Sequence, residues 1–99
     1  MTGPRRIELH PEAVREAGAA WSWYHARNPA VGRAFLEEID RAIQAIGEAP
    51  DRWPGHAAGG RKCLLRRFPF LIVFRASDTK IEILAVAHAR RRPGYWRSR

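Results

Sequence analysis

The chain has 99 residues, of which 45% are hydrophobic and 28% are charged, and its formal net charge is +8. This composition is typical of one globular domain, which we expect to span residues 1–99, and it excludes a largely disordered chain. Residues 1–50 hold six arginines and seven acidic residues, whereas residues 51–99 hold twelve Lys or Arg and three acidic residues. The cationic excess of the second half predicts a surface that meets phosphates or an acidic protein partner.

Several classes of protein are excluded by the remaining composition. The lone Cys63 cannot form an internal disulfide, and the four histidines have no metal-ligand spacing, so we expect neither a metal nor a cofactor. No apolar run approaches the roughly 20 residues of a membrane-spanning helix, and the N-terminus lacks the apolar stretch of a signal peptide. We therefore expect a cytoplasmic protein that does not associate with a membrane.

The first half of the sequence predicts one strand and two helices. Residues 5–9 form the strand, with Ile7 and Leu9 on one face. Pro11 can open the first helix, which ends at the sequence RNPA, because a residue before proline is disfavoured in a helix. The second helix spans residues 29–48, so the two helices form an antiparallel hairpin with a very short turn. Their apolar stripes comprise Val14, Ala17, Trp21 and Tyr24 on the first helix and Gly32, Phe35, Leu36, Ile39, Ala42, Ile43 and Ile46 on the second.

After a loop rich in Pro and Gly, the apolar period changes from that of a helix to that of a strand. Residues 61–67, 68–76 and 80–88 predict three strands joined by short turns. On the first of them, Cys63 and Leu65 share one face. The predicted fold class is therefore α+β, with an N-terminal strand, an antiparallel helical hairpin packed on one sheet face, and a three-stranded antiparallel meander.

Basic and aromatic side chains are concentrated on these strands and just after the last one. Arginine supplies bidentate contacts to phosphate, histidine titrates near neutral pH, and aromatic rings supply faces for base stacking. This combination predicts RNA binding or, with a suitably placed proton acceptor, RNA cleavage; alternatively, the two aromatic residues cap the sheet. The set comprises Arg61, Lys62, Arg66, Arg67, Arg75, His88, Arg90, Arg91, Arg92, Tyr95 and Trp96.

Two tryptophans on the first helix face different directions. Trp21 and Trp23 are two residues apart and hence about 200° apart around the helix axis, so Trp23 points away if Trp21 joins the core. An exposed tryptophan on a small domain is a candidate contact for a partner protein. The alternative is that Trp23 packs over the helix pair or the N-terminal strand.

The order of the elements, with the segments RRFPFLIVFR (66–75) and ILAVAHARRRPGYW (83–96), resembles the RelE/ParE superfamily of toxins from bacterial type II toxin-antitoxin modules. The resemblance covers residues 5–96 and implies a toxin that an antitoxin binds and neutralises in a hetero-oligomer. Two activities are associated with the superfamily. RelE-like members are ribosome-dependent endoribonucleases that cut messenger RNA without a metal, whereas ParE-like members inhibit DNA gyrase and are not nucleases.

Individual residues favour the ParE-like activity. The nucleases place basic residues and a C-terminal tyrosine around the scissile phosphate, and Lys62 matches one such position. The next position on the same face is Leu64, and Leu71 replaces an arginine, so two cations that would stabilise the transition state are lost. We therefore expect a gyrase inhibitor, with a toxin-like protein that only binds its antitoxin as a further alternative. For a nuclease, the resemblance implies that catalysis involves Lys62, His88, Arg90 and Tyr95.

The resemblance also implies two sets of contact residues. An acidic, amphipathic antitoxin segment would suit the charges of this chain, and we expect it to contact Trp23, Arg66 and Arg67. The other partner is the target, which is gyrase or the ribosome with its messenger RNA. We expect the target to contact Arg61, Lys62, Arg66, His88, Arg90, Arg91, Arg92, Tyr95 and Trp96.

Overall fold

A computed structural model describes residues 5–56 and 59–99. The elements in chain order are β1 (Arg6–Leu9), α1 (Pro11–Arg27), α2 (Pro29–Glu48), a short 3₁₀ helix (Pro50–Arg52), β2 (Arg61–Leu64), β3 (Phe70–Ala76) and β4 (Lys80–His88). This order confirms the predicted α+β class. The strands at the first hairpin are shorter than predicted, because residues 65–69 form the turn between β2 and β3.

The four strands form one sheet in the order β1-β4-β3-β2. β2, β3 and β4 pair antiparallel, as the predicted meander requires, and β1 pairs parallel to β4. The β1 register runs from Arg6 opposite Lys80 to Leu9 opposite Ile83. The second half of β4, residues 84–88, therefore has β3 on one side and, among the residues that the structure describes, no strand on the other.

Asn28 forms the whole connection between the two helices. Its backbone N–H donates to the Tyr24 carbonyl at 2.9 Å and ends α1, while its side-chain oxygen accepts from the Ala30 N–H at 3.0 Å and begins α2. A Cβ atom on Gly32 would lie 3.0 Å from the His25 Cα, so glycine allows the helices to approach closely here. Within residues 5–56 and 59–99, neither helix is long and apolar enough to cross a membrane.

The helical hairpin packs on one sheet face, as predicted. The predicted helix stripes were wrong at Val14 and Leu36, which are 52% and 42% exposed. Two charged residues, Glu16 and Glu38, are buried on the core side instead, because their carboxylates bind polar groups of the sheet. The core contains Ala13, Ala20, Phe35, Ile39 and Ile46 from the helices and Cys63, Leu65, Ile72, Phe74, Ile81, Ile83 and Val86 from the sheet side.

The opposite sheet face is covered by the C-terminal segment, residues 89–99. Trp96 is 2% exposed and packs with Tyr95 on the centre of this face. The Trp96 indole N–H donates to the Gly59 carbonyl at 3.3 Å, and its ring meets the His56 ring edge-on at 5.1 Å. The sheet residues under these two rings are Leu71, Val73, Leu84, Ala85 and Ala87.

Candidate functional site

Glu16 on α1 closes the open edge of β4. One carboxylate oxygen accepts from the Val86 backbone N–H at 3.1 Å, and Arg99 donates to both oxygens, at 2.9 and 3.2 Å. Arg91 adds a further ion pair at 3.2 Å, and Arg99 also donates to the Leu84 carbonyl at 3.0 Å. Burial raises the pKa of Glu16, but these hydrogen bonds and cations outweigh it and hold the pKa below its usual value. The cluster fastens the C-terminal segment to the sheet.

Tyr95 is packed beside this cluster. The Arg91 guanidinium lies 3.6 Å from the centre of the Tyr95 ring, and the Arg99 guanidinium lies at 5.0 Å. Burial, an interaction of the hydroxyl with the Glu16 carboxylate and the negative charge of that carboxylate raise the pKa of Tyr95 to about 12. Among the described residues, the buried Tyr95 hydroxyl has no hydrogen bond of good geometry. A phenol with this pKa is protonated at neutral pH and is a poor proton acceptor.

Glu38 on α2 holds the turn between β2 and β3. Its carboxylate accepts from the backbone N–H groups of Arg66 and Arg67, and from the Arg67 side-chain Nε at 3.0 Å. Burial raises the pKa of Glu38, but these hydrogen bonds lower it by more. The turn is thereby fixed against the helix pair, while the Arg66 side chain stays exposed.

The β2–β3 turn and the start of the C-terminal segment lie side by side at one end of the sheet. The Ala89 N–H donates to the Pro69 carbonyl at 2.7 Å, and His88 lies opposite Phe70 with the rings edge-on at 5.1 Å. The Arg90 N–H donates to His88 Nδ1 at 3.1 Å. Five arginines are grouped at this end, which we call the basic rim: Arg66, Arg67, Arg90, Arg91 and Arg92.

Other residues of the predicted basic set lie elsewhere. Arg61 is partly buried and donates to the Trp53 carbonyl at 2.6 Å, so it supports the loop before β2. Arg75 lies towards the opposite end of the sheet, 3.8 Å from Glu82. Lys62 lies opposite Val73 on the face away from the helices. In residues 5–56 and 59–99, no group of three His, Cys, Asp or Glu side chains could hold a metal ion.

Leu64 and Leu71 lie directly opposite each other on β2 and β3. Leu64 is 62% exposed, the highest value among the large apolar side chains of the described residues, whereas Leu71 is 9% exposed. Directly opposed residues of two strands share a face and their side chains touch. The two positions where the nucleases are expected to have cations therefore hold an apolar pair beside Lys62, of which Leu64 is exposed and Leu71 is buried.

A groove of about 660 Å³ runs between the C-terminal half of α1 and the basic rim. Its floor is apolar and aromatic, and Arg15 and Arg91 lie among its lining residues. Trp23 borders the groove with 54% of its surface exposed, and the Arg27 guanidinium lies 3.5 Å from the centre of its ring. The floor includes Ala20, Tyr24, Phe70, Val86 and His88.

Comparison with known proteins identifies the family. The family model described as the ParE toxin of the type II toxin-antitoxin system parDE matches residues 7–93. The chain belongs to the ParE toxin family. Two relatives named Toxin ParE2, from Mycobacterium tuberculosis strains CDC 1551 / Oshkosh and ATCC 25618 / H37Rv, are each 28% identical over 90 residues, covering 90% of this chain and 86% of the relative.

A solved structure shares the ParE fold of this chain. The structure is titled Chromosomal ParDE TA system from P. aeruginosa and superposes with a TM-score of 0.76 at 19% identity. The superposition covers 88% of this chain and 98% of the other. The expected superfamily is thus confirmed and narrowed to its ParE branch, which implies an antitoxin partner.

The predicted contact residues of this ParE toxin are only partly brought together. Arg66, Arg67, His88 and residues 90–92 meet at one end of the sheet, whereas Arg61 does not belong to that group. Trp96 was expected to contact the target, and this expectation is corrected. Its side chain is buried against the sheet, where it caps the face opposite the helices. Tyr95 is likewise packed against the sheet and the Glu16 cluster.

Glu16 and Glu38, which organise this surface, were not predicted as site residues. Each lies three residues after a core position of its helix, Ala13 or Phe35, so it faces the core side. A carboxylate inside an apolar stripe must find hydrogen-bond donors when it is buried. That signal was present in the sequence.

Proposed function

We propose that this ParE toxin arrests growth by binding DNA gyrase and that it is not a nuclease. The observation that carries the proposal is the apolar pair of Leu64 and Leu71. A nuclease that uses a 2′-hydroxyl as nucleophile needs cations to stabilise charge on the phosphorane, and an apolar pair supplies none. The exposed apolar side chain of Leu64, next to Lys62, instead suits a protein target.

The environment of Tyr95 also supports the proposal. A nuclease needs a proton acceptor or donor that reaches the substrate and has a pKa near the working pH. Tyr95 is packed against the sheet, and its pKa is about 12. In this toxin it serves to hold Arg91 and Arg99 around Glu16.

We assign the target contact to exposed side chains at and next to the basic rim. His88 is partly exposed, and the rim arginines that no carboxylate holds are exposed. Leu64 joins them as an apolar anchor, because a well-placed apolar side chain inside a polar surround is typical of an interface. The proposed target contacts are Lys62, Leu64, Arg66, His88, Arg90 and Arg92.

The antitoxin is proposed to lie in the groove along α1. An acidic segment with apolar side chains would fill the aromatic floor, and its carboxylates would share Arg15 and Arg91 with their present partners Glu12 and Glu16. Trp23 lies at the border of this groove and would be covered by the same segment. Arg66 and Arg67 lie on the neighbouring turn. They extend the positively charged surface that the acidic antitoxin segment would contact.

One observation favours a RelE-like nuclease as the second candidate. His88 and Arg90 are adjacent at the basic rim, and they could supply an acid-base group and a phosphate contact. Under that hypothesis, changing His88 to Ala would abolish toxicity without unfolding the protein. The apolar pair at Leu64 and Leu71 is the reason we place it second.

Pulse labelling of growing cells tests the proposal. The toxin is expressed without its antitoxin in the bacterial cytoplasm, where we propose that it acts, and DNA and protein synthesis are followed with labelled thymidine and methionine. A gyrase inhibitor stops thymidine incorporation first and causes filamentation. An early stop of methionine incorporation would contradict the proposal, and normal growth would favour the alternative of a non-toxic antitoxin-binding protein.

A further inference from the structure

Carboxylates divide the arginines of the basic rim into two groups. Arg67 is paired with Glu38 and Arg91 with Glu16. Arg66, Arg90 and Arg92 are exposed and form no ion pair with the described residues. Residues 65–69 and 89–94 contain no acidic residue, and Glu37, which lines a groove beside Arg66, is not paired with it. Positive charge therefore accumulates at this end of the sheet.

The backbone that carries Arg66 and Arg90, and the one that leads to Arg92, is held by hydrogen bonds. Glu38 binds two successive N–H groups of the β2–β3 turn, and the Pro69 carbonyl binds the Ala89 N–H. His88 accepts from the Arg90 N–H through its ring and from the Arg91 N–H through its carbonyl at 2.9 Å. Arginines carried on a fixed backbone bind phosphate with a smaller loss of entropy than a mobile basic tail.

Aromatic rings near the rim offer little free face for base stacking. In the groove beside it, the Arg27 guanidinium lies 3.5 Å from the centre of the Trp23 ring, and Tyr24 and Phe70 pack edge to face. The aromatic residues that follow it, Tyr95 and Trp96, are packed on the sheet, and Trp96 is 2% exposed. Recognition of single-stranded nucleic acid depends on stacking of bases on aromatic rings. Contacts from the rim arginines are therefore made mainly to the phosphate backbone, whose charge density is greatest in a duplex, at one charge per about 1.7 Å of helix axis.

We propose that Arg90 and Arg92, with Arg66 beside them, bind the phosphate backbone of duplex DNA without reading its sequence. This binding is a property of the toxin and DNA alone. It goes beyond the proposed action on gyrase, and either proposal can fail while the other holds.

Fluorescence anisotropy of the purified toxin with a labelled 20-base-pair duplex tests this inference. The logarithm of the binding constant is expected to fall linearly with the logarithm of the salt concentration between about 50 and 200 mM NaCl. The double variant Arg90→Gln/Arg92→Gln should lower the magnitude of that slope by roughly 2, since each phosphate contact contributes about 0.9. It should also weaken binding at low salt at least tenfold.

A matched variant controls for net charge. Arg33→Gln/Arg52→Gln removes the same two charges from exposed positions outside the rim and should leave the slope nearly unchanged. Circular dichroism would check that both variants are folded. Equal losses in the two variants would overturn the inference, as would the absence of binding at low salt.

Two competitors distinguish the chemistry of the ligand. A single-stranded RNA of the same length should bind more weakly than the duplex, because its charge density is lower and little stacking surface compensates. Polyglutamate at equal charge should compete poorly. Tighter binding of the RNA, or equal competition by polyglutamate, would show that duplex DNA is not the ligand that this surface selects.

Discussion

Arg99, the last residue, donates to Glu16 of α1 at 2.9 Å, and the pair lies against the edge of β4. β1 ends at Leu9, so the Val86 N–H and the Leu84 carbonyl have no strand to pair with on this side. The Glu16 carboxylate and the Arg99 guanidinium take the place of that strand for these two groups. The pair thus completes the sheet and holds the C-terminal segment over it.

Changing Arg99 to Ala should destabilise the toxin. The substitution leaves the Glu16 carboxylate with fewer donors and the Leu84 carbonyl without its partner, and removing one member of a buried ion pair costs about 3 kcal/mol. For a domain of this size, each kcal/mol corresponds to roughly 4–8 °C in melting temperature. Thermal unfolding by circular dichroism measures the change. Arg33→Ala, on the exposed face of α2, is the control, and equal melting temperatures for the two variants would contradict the role of Arg99.

Glu38 predicts a specific dependence of stability on pH. Its pKa is lower in the folded protein than the ordinary value of 4.5, so its contribution is fully present above that pH and is lost as the pH falls through the folded pKa. Glu38→Gln lacks this titration. The difference in unfolding free energy between the wild type and the variant should be largest near pH 7 and should shrink between about pH 5 and 3. Urea unfolding at several pH values measures it, and a difference that grows on acidification would contradict the assignment.

Leu64→Lys should impair gyrase inhibition without unfolding the toxin. Leu64 is 62% exposed, so its replacement changes stability by about 0.5 kcal/mol or less. Loss of an apolar interface anchor costs more than about 1.4 kcal/mol, which is tenfold in affinity. Titration of gyrase supercoiling with the variant gives the concentration for half inhibition. Val14→Lys, at a position 52% exposed on α1, should leave that concentration unchanged.

Tyr95→Phe should keep both toxicity and stability. The Tyr95 hydroxyl is buried without a hydrogen bond of good geometry among the described residues, so its removal costs little. A nuclease that depended on this hydroxyl would lose activity. Growth arrest after induction and thermal unfolding of the purified variant provide the two measurements. A folded variant that no longer arrests growth would support the nuclease hypothesis.

Trp23→Ala should weaken antitoxin binding at least tenfold. The side chain borders the groove along α1 and is 54% exposed, so the variant should fold normally. Isothermal titration with the cognate antitoxin measures the affinity, and Val14→Ala, nine residues earlier on the same helix, serves as the control. Unchanged affinity for Trp23→Ala would place the antitoxin elsewhere on the toxin.

Local patterns in the sequence predicted the elements but not all of their contacts. The short turn at Asn28 and the alternation of residues 61–88 were sufficient to predict the helical hairpin and the meander. The parallel pairing of β1 with β4 joins residues more than 70 positions apart, and no local pattern encodes it. Because this pairing ends at Leu9, the edge of β4 beyond Ile83 is left unpaired, and Glu16 binds there.

The part of the candidate site that lies on β4 and on the residues directly after it could be predicted from the sequence. The basic residues after His88 lie next to one another in the sequence, and the resemblance to the superfamily identified them. The Leu64–Leu71 pair depends on the register across the β2–β3 turn, and the burial of Trp96 depends on how the C-terminal segment crosses the sheet. Such relations are set by tertiary packing, which residue patterns do not specify.

Gyrase supercoiling with the purified toxin tests the central claim most directly. Relaxed plasmid, gyrase and ATP are incubated with increasing toxin, and messenger RNA integrity is followed in parallel in a translating extract at the same toxin concentrations. We predict that supercoiling is inhibited, that added antitoxin restores it, and that the messenger RNA stays intact. Cleaved messenger RNA together with normal supercoiling would contradict the account.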